Sequence, residues 1–174
     1  KNFTWKDVVE IRNMLPPHIK IVLKGVQRGE DAVIAARLGC VDGLLLSNHG
    51  GRQVDTAVTG VDALEDVHRC LSRYPSLKNA LELYVDGGIW RGSDVAKCIA
   101  LGARAVGVGR APLFALAGFG EAGMTKCLET YEAELHNVMA LVGARDLKEL
   151  QTGKFLLRRA GDVLQPPPCT LSKM

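Results

Sequence analysis

Four short apolar runs alternate with four longer segments of helical periodicity, and this alternation limits the folds open to the chain more than any other feature. The apolar runs cover residues 19–23, 44–46, 81–85 and 105–108, and each is short enough to be a strand. The helical segments cover residues 28–38, 60–71, 93–101 and 120–142, with additional helices at 5–14 and 146–150. The sequence therefore predicts repeated strand-then-helix units.

Local signals set the expected ends and faces of these helices. Gly39 and Gly102 follow two of the helical segments and are typical C-terminal stops, and Ser93 is a predicted N-cap. The apolar face of the 120–142 helix is predicted to carry Cys127, Leu128, Tyr131, Leu135, Val138 and Leu141.

Repeated strand-then-helix units imply a parallel sheet, because parallel neighbours need a crossover connection, and the helices then lie outside the sheet. Four units make the second half of a (β/α)8 barrel, whose active sites lie at the carboxyl ends of the strands. Such ends are occupied here by Lys24, His49, Asp86 and Arg110. A doubly wound open sheet is the structural alternative, and the lack of a GxGxxG motif after the first strand counts mildly against it.

A polar, glycine-rich segment, Ser47-Asn48-His49-Gly50-Gly51-Arg52-Gln53, directly follows the second predicted strand. An imidazole can accept a proton near neutral pH, and a guanidinium can hold a carboxylate through two parallel hydrogen bonds. The two glycines allow a sharp turn and a close approach of the backbone to a ligand. The segment therefore predicts either a site for a small anionic substrate or a polar turn whose His and Arg face solvent.

Net charge, apolar stretches and cysteine spacing limit the kinds of partner and the compartment that we expect for the chain. The formal net charge of the 174 residues is only +3, without a long Lys/Arg run, which gives nucleic acid binding little support. No apolar stretch approaches the roughly 18 residues of a membrane-spanning helix, so we expect no membrane partner. The five cysteines stand singly, which favours reduced thiols in an intracellular protein over a disulfide framework or a zinc site.

Three further motifs accompany the segment at 47–53: Leu23-Lys24-Gly25-Val26, then Asp86-Gly87-Gly88 with Arg91-Gly92-Ser93-Asp94, then Gly107-Val108-Gly109-Arg110. Together and in this order, they resemble the motifs of the FMN-dependent α-hydroxy-acid oxidoreductases, which include glycolate oxidase, lactate oxidase and the flavin domain of flavocytochrome b2. The resemblance covers most of the chain, from about residue 5 to residue 150. Four ordered motifs are far more specific than any one of them.

The resemblance assigns roles at the reacting end of the site. It implies that Lys24 faces the N1 and O2 atoms of FMN, where a cation stabilises the charge of the reduced ring, and that Ser47 hydrogen-bonds the ring. It implies that His49 is the general base toward a 2-hydroxy acid, taking either the Cα proton or the hydroxyl proton. Arg52 then binds the substrate carboxylate.

The resemblance also assigns a phosphate end. It implies that Asp86-Gly87-Gly88 and Gly109-Arg110 form the two loops that hold the FMN phosphate, as the last two loops of such barrels often do. One position departs from the family pattern: Trp90 stands where an arginine normally contacts the phosphate. Trp90 and Arg91 are expected at the cofactor site, with Arg91 compensating for the arginine that Trp90 replaces. Tryptophan supplies neither the charge nor the paired hydrogen bonds of a guanidinium.

Two main hypotheses follow. In the first, residues 1–160 are the second half of a barrel, and residues 161–174 are an extended Pro-rich tail. The barrel oxidises a small L-2-hydroxy acid to a 2-oxo acid. Its electrons pass through FMN to oxygen or a cytochrome. In the second, the half-barrel is non-catalytic, self-associating or degenerate, and does not bind FMN productively. Another phosphate-binding barrel protein is a third possibility, which the pairing of His49 with Arg52 disfavours.

Assembly and location are predicted only by resemblance and by the last residues. Full-length relatives often form tetramers, so we expect a homo-oligomer. The terminal Ser172-Lys173-Met174 is close to the Ser-Lys-Leu peroxisomal address, and several family members are peroxisomal. A cytoplasmic or mitochondrial location remains the alternative.

Overall fold

The computed structural model describes residues 2–77 and 79–152. Its helices and strands are, in chain order, α1 (Trp5–Met14), β1 (Val22–Val26), α2 (Gly29–Leu38), β2 (Gly43–Leu46), α3 (Gly60–Ser72), β3 (Glu82–Asp86), α4 (Gly92–Ala100), β4 (Ala105–Gly107), α5 (Arg110–Val142) and α6 (Leu147–Leu150). Short 3-10 turns occupy His49–Gly51 and Pro75–Leu77. Within this described part, no helix has both the length and the apolar character that crossing a bilayer requires.

The four strands form one parallel sheet in the sequential order β1-β2-β3-β4. This order confirms the predicted strand-then-helix units. It is the order of neighbouring strands in a (β/α)8 barrel, whereas a doubly wound sheet reverses direction at a switch point. The fold is therefore α/β, and the doubly wound alternative is wrong.

The two faces of the sheet differ in their environment. Leu44, Leu46 and Val85 are fully buried on the face that packs against α2 and α3. The other face carries Lys24, Leu45, Tyr84 and Ala105, which are neighbours in the sheet register and are exposed or half-buried. Parallel sheets are usually covered on both faces, so this accessible face is the one that a complete barrel would enclose.

The helices α2 and α3 lie close together because small residues and well-placed caps allow it. The Thr59 hydroxyl accepts a hydrogen bond from the Asp62 N–H at 3.2 Å and fixes the start of α3. Any side chain at Gly29 would put its Cβ 2.5 Å from the Sγ of Cys70, so only glycine permits this contact between the two helices. Gly39 ends α2 in the left-handed region (φ 61°), as predicted.

The first strand lies later than the sequence predicts. It covers Val22–Val26 instead of 19–23, so Lys24 lies in its middle and not at its end. The N–H of Ile21 is bound by the Asp42 carboxylate at 2.8 Å, and its carbonyl accepts from the Asp42 and Gly43 N–H groups. The pairing is irregular between Lys24 and Val26, where Gly25 has a φ of 96°.

The prediction of Ser93 as an N-cap was wrong, because α4 already starts at Gly92 and carboxylates of α4 and α5 bind the N–H groups at its start. The N-cap residue is Arg91, and the Asp94 carboxylate accepts the N–H groups of Trp90 and Arg91 at 3.1 Å each. A glutamate of α5, Glu134, accepts the Gly92 N–H at 2.7 Å. The start of α4 is therefore tied to α5.

The last long helix starts ten residues before the predicted 120–142 segment. Helix α5 starts at Arg110 and is kinked at Gly120, whose φ of 61° and ψ of −149° are not helical. Of its predicted apolar face, Tyr131, Leu135 and Val138 pack on the cores, whereas Leu128 and Leu141 are exposed. The predicted tail at 161–174, with its Ser172-Lys173-Met174 ending, lies outside the described residues, so the domain boundary stays a prediction.

Candidate active site

A cleft of about 600 Å³ opens at the carboxyl ends of the strands. Most of the site residues predicted from the sequence line it: Lys24, His49, Arg52, Asp86, Gly87, Gly88, Trp90, Gly109 and Arg110. Ser47 lies behind its wall, fully buried, and Arg91 is not among the lining residues. One continuous cleft therefore joins loops that are far apart in sequence.

Ser47 joins the lysine to the histidine loop. Its hydroxyl accepts a hydrogen bond from the Lys24 ammonium at 2.8 Å and from the His49 N–H at 3.0 Å. Its carbonyl accepts the side-chain amide of Gln27 at 3.3 Å. Because Ser47 is buried and directly follows strand β2, the core positions the lysine head group and the start of the histidine loop together.

The histidine loop is a tight left-handed turn. His49, Gly50 and Gly51 have successive φ values of 56°, 67° and 74°, a conformation that costs a non-glycine residue energy. Asn48 holds the turn: its side-chain oxygen accepts the Gly51 N–H at 3.2 Å, and its side-chain nitrogen donates to the Val58 carbonyl at 3.1 Å. The turn thereby fixes where the imidazole of His49 enters the cleft.

Two arginines border the cleft, and they differ in whether their guanidinium groups are bound by the described residues. The Arg110 guanidinium donates to the carbonyl of Gly50 and so ties the start of α5 to the histidine turn. The Arg52 side chain is exposed, and its guanidinium makes no hydrogen bond or ion pair with the described residues. Arg52 therefore retains its donors for an anionic ligand, as a carboxylate clamp requires.

Asp86 presents a carboxylate that the described chain satisfies only in part. Its Oδ2 lies 3.5 Å from the Lys24 ammonium. Its Oδ1 is buried and has no hydrogen-bond partner among the described residues. A buried acceptor without a partner costs free energy, so a hydroxyl or N–H donor of a ligand would be stabilised there.

The opposite end of the cleft is made of backbone. A Cβ built on Gly88 or Gly109 would meet nothing within 4 Å, so both glycines border open space. The N-terminus of α5 lies beside them, and no side chain caps it. Free N–H groups at a helix start, with the positive charge of Arg110 adjacent, suit a phosphate group.

The two residues after the Asp-Gly-Gly motif point to different neighbours. Trp90 is half exposed and stacks on Phe114, with ring centroids 6.4 Å apart. The Arg91 guanidinium binds the Glu134 carboxylate, with a shortest contact of 2.6 Å. Hydrogen bonds from Arg91 and from the Gly92 N–H hold the pKa of Glu134 below its ordinary value. Arg91 thus anchors α4 to α5 and is not part of the cleft wall.

Sequence reasoning gave no role to several residues that shape the site. Asn48 and Gln27 hold the histidine turn and the end of β2, and Glu134 engages Arg91. Gly60 lets α3 approach β3, because a Cβ there would lie 2.3 Å from the Asp86 carbonyl oxygen. The sequence does carry signals for two of them: Asn48 lies inside the glycine-rich motif at 47–53, and Gly60 stands at the start of a predicted helix.

The profile of the FMN-dependent dehydrogenase family matches residues 1–157. The chain belongs to this family. The fold and the cleft agree with that assignment, since the described strands carry the matched motifs to one end of the sheet.

Curated relatives include 2-hydroxy-acid oxidases and dehydrogenases. The chain is 41% identical over 150 residues to an L-lactate dehydrogenase (cytochrome) of Saccharomyces cerevisiae, covering 86% of this chain and 25% of that protein. It is 38% identical over 149 residues to an L-lactate oxidase of Nostoc sp., covering 86% and 38%. It is 43% identical over 149 residues to a peroxisomal (S)-2-hydroxy-acid oxidase of Oryza sativa subsp. japonica, with the same coverage.

Solved structures of similar proteins have the same fold over the matched part of the chain. The flavin-binding domain of baker's yeast flavocytochrome b2 superposes with a TM-score of 0.76 at 40% identity, over 86% of this chain and 37% of that one. A mandelate oxidase superposes with a TM-score of 0.75 at 38% identity, over 86% and 43%. The fold therefore matches part of a (β/α)8 barrel, and the chain spans between 25% and 43% of the length of these matched proteins.

The donor set of the cleft fits the cofactor that the family name implies. Lys24 supplies a cation, Asp86 an unsatisfied acceptor for a hydroxyl, and Arg110 with the uncapped start of α5 a phosphate site. Gly88 and Gly109 leave the space that a bound phosphate would fill.

Proposed function

We propose that the protein containing this chain oxidises a small L-2-hydroxy acid to the corresponding 2-oxo acid with FMN as cofactor. The observation that carries the proposal is the single cleft in which His49, Arg52 and Lys24 meet the phosphate-type loops. A base, a carboxylate clamp and a cation beside one another are what this oxidation requires.

The chemistry at the substrate falls to His49 and Arg52. Arg52 binds the carboxylate and orients the Cα toward the cofactor, which lowers the entropic part of the barrier. His49 takes one proton as the C–O bond becomes a carbonyl, either from the Cα or from the hydroxyl group. The strained turn that holds His49 fixes the imidazole and lowers the cost of placing it.

The remaining cleft residues serve the cofactor. FMN, when bound, supplies the acceptor for the two electrons that leave the substrate. Lys24 stabilises the resulting negative charge with its ammonium, and Ser47, which holds Lys24, is proposed to hydrogen-bond the flavin ring. Asp86, Gly87, Gly88, Gly109 and Arg110 are proposed to hold the ribityl and phosphate groups, with Trp90 and Arg91 adjacent to them.

The electron acceptor is proposed to be oxygen or a cytochrome. The Nostoc relative is named an oxidase, and the Saccharomyces relative is named a cytochrome-linked dehydrogenase. Hydrogen peroxide production, compared with reduction of cytochrome c, separates the two acceptors.

The test starts with the absorbance spectrum of the purified chain after incubation with FMN and desalting. We expect retained flavin bands that bleach under anaerobic glycolate or L-lactate. His49→Gln should keep the bands and lose the bleaching by at least about a hundredfold in rate. His136→Gln, on an exposed face of α5, is the matched control and should bleach normally. Absence of retained flavin from the chain contradicts the proposal for this chain.

A second candidate is a half-barrel without productive FMN binding. It is favoured by the accessible face of the sheet and by Arg91, which Glu134 already engages beside the uncharged Trp90. An exposed sheet face and exposed sheet edges favour pairing of two chains, which is the homo-oligomer that we expect from the resemblance. A dimer by light scattering together with a colourless desalted sample supports this candidate over the first.

We also propose a peroxisomal location, on the basis of the rice relative that is named peroxisomal, with Ser172-Lys173-Met174 as the segment to test. A fluorescent protein fused in front of the chain should enter peroxisomes, and removal of the last three residues should leave it dispersed. Unchanged distribution after the removal contradicts this proposal.

A further inference from the structure

The carbonyl of Gly50, in the middle of the histidine turn, is bound from the opposite end of the cleft. The Arg110 guanidinium donates to it, although the two residues are 60 positions apart in sequence. A Cβ built on Gly50 would lie 3.0 Å from the Nη2 of Arg110, so the turn and the guanidinium are in close contact. Arg110 is also the first residue of α5, where we place the phosphate. One side chain therefore joins the histidine turn to the phosphate end of the cleft.

The histidine turn depends on hydrogen bonds from its surroundings. His49 has a φ of 56°, and a non-glycine residue keeps such a conformation only where neighbouring groups over-determine it. The buried Ser47 hydroxyl accepts the His49 N–H at 3.0 Å. The Asn48 side chain accepts the Gly51 N–H at 3.2 Å. These two bonds lie within one loop, whereas the bond from Arg110 comes from a different element, α5.

The turn also determines where the imidazole lies. The Cε1 of His49 is 3.4 Å from the place where a Cβ on Gly25 would stand, so the ring lies against the irregular part of β1. The Gly50 peptide directly follows His49 in the chain, so a displacement of that peptide moves the imidazole as well. Order in the turn is therefore order in the proposed base.

Arg110 retains hydrogen-bond donors after it binds the turn. A guanidinium carries five N–H groups in a planar fork. The bond to Gly50 comes from Nη2, which leaves Nε and Nη1 free of bonds to the described residues. The Arg110 side chain is exposed and lines the cleft beside Gly109, whose own position borders open space. Arg110 can therefore bind the Gly50 carbonyl and a phosphate at the same time.

We propose that Arg110 is a positioning residue for His49, and that an anion bound at the start of α5 orders the histidine turn through this side chain. The inference rests on the proposed function, which assigns Arg110 to the phosphate, and it adds a coupling between the two ends of the cleft. A phosphate immobilises the guanidinium, so the bond to the Gly50 carbonyl then costs less conformational entropy. The coupling is reciprocal, because an ordered turn must favour the anion by the same factor.

The test follows the four histidines of the chain by NMR while inorganic phosphate is added without flavin. We expect the ring resonances of His49 to shift until phosphate saturates its site. Amide exchange at Gly51 should slow at least about fivefold, the lower end of the usual coupling between two sites. His18, His68 and His136 are exposed and lie outside the cleft, so they are internal controls whose resonances should not move.

Arg110→Lys separates positioning from charge. An ammonium keeps the positive charge at the start of α5 but lacks the planar fork that binds two acceptors at once. Phosphate should still bind, as the amide resonance of Ala111 reports, whereas the slowing of Gly51 exchange and the shift of His49 should largely disappear. Lys148→Gln removes one positive charge from an exposed position of α6 and should respond like the parent chain.

Arg52→Gln tests where the phosphate acts, because the exposed Arg52 could itself bind an anion beside His49. The response of His49 should survive this substitution, since the coupling runs through Arg110. Circular dichroism confirms that each variant is folded.

Three outcomes overturn this inference and leave the flavin function standing: a His49 response of full size in Arg110→Lys, a response lost in Arg52→Gln, or Gly51 exchange that phosphate leaves unchanged or accelerates. An Ala111 amide that never responds to phosphate also overturns it, because no anion then binds at the start of α5. The flavin spectrum of the desalted chain decides the proposed function separately, since it requires retained flavin and not a response of His49 to phosphate.

Discussion

The ammonium of Lys24 lies 3.5 Å from the Oδ2 of Asp86, across the intervening strand β2. The same ammonium donates to the Ser47 hydroxyl at 2.8 Å, at the end of β2. One cation therefore connects three neighbouring strands at the floor of the cleft. Its loss would affect the sheet as well as any ligand.

Lys24→Met should lower the free energy of unfolding by about 1–2 kcal/mol. The substitution keeps an aliphatic side chain but leaves Asp86 with a buried Oδ1 that lacks a partner and an Oδ2 without its cation. The cost stays modest because the Lys24 side chain is 42% exposed. Urea unfolding measures the change. Adding Asp86→Asn should recover part of the loss, because the unpaired charge is removed.

The matched control is Lys20→Met, which breaks a 2.8 Å pair with Asp42 near the start of β1. The Lys20 side chain is 73% exposed, so we expect a loss below about 1 kcal/mol. Equal losses for the two lysine variants, or no recovery with Asp86→Asn, would show that the three-strand connection contributes no more than an exposed ion pair.

The parallel sheet could be predicted because apolar runs and helical periodicity are local signals. The order of the strands and the helices α2 and α3 followed from them. The exact start of β1 could not, because it depends on the Asp42 carboxylate binding the Ile21 N–H across the fold. The cap of α4 was missed for the same reason, since Glu134 reaches Gly92 from another helix.

The residues of the candidate site could be predicted from the sequence, but the hydrogen bonds and ion pairs among them could not. Lys24 and Asp86 lie within β1 and β3, and His49 and Arg110 follow β2 and β4, so parallel topology brings all four to one end of the sheet. The pairing of Arg91 with Glu134 joins residues 43 positions apart, and no local pattern encodes it. The left-handed φ of His49 was likewise invisible, because non-glycine residues seldom adopt it.

Gly60→Ala should destabilise the chain by about 1–3 kcal/mol. The new Cβ would lie 2.3 Å from the carbonyl oxygen of Asp86 and 2.7 Å from a methyl group of Val85, so α3 must shift away from β3. Gly118→Ala in α5 is the control: its Cβ would meet nothing within 4 Å, and helix propensity should stabilise by about 0.5–1 kcal/mol. Thermal and urea unfolding give both values, and effects of the same sign would refute the packing argument.

Glu134→Gln should lower the melting temperature at neutral pH and lose that effect in acid. Hydrogen bonds from Arg91 and the Gly92 N–H lower the folded-state pKa of Glu134 from its ordinary 4.5. A lowered folded pKa stabilises the fold above the ordinary value, and the contribution disappears as pH falls through the folded pKa. The difference in melting temperature between parent and variant should therefore be constant above pH 4.5 and shrink below it.

The control for this pH dependence is Glu129→Gln, whose 59% exposed carboxylate pairs with Lys126 at 3.6 Å. Screening by solvent makes such a pair worth little, so its melting temperature should match that of the parent. A Glu134→Gln difference that persists unchanged in acid would mean that the anchor between α4 and α5 does not depend on charge.

Iodoacetamide should label Cys127 well before Cys98 in the native chain. Both thiols are free, but Cys98 is fully buried against the sheet, and burial raises its pKa to about 11. At pH 8 only on the order of one thiol in a thousand is then ionised, and the thiolate is the nucleophile. Cys127 is only partly buried. Peptide mapping after timed labelling gives the order, with labelling in urea as the control in which the two rates converge. Equal native rates would mean that α4 opens as readily as the surface of α5.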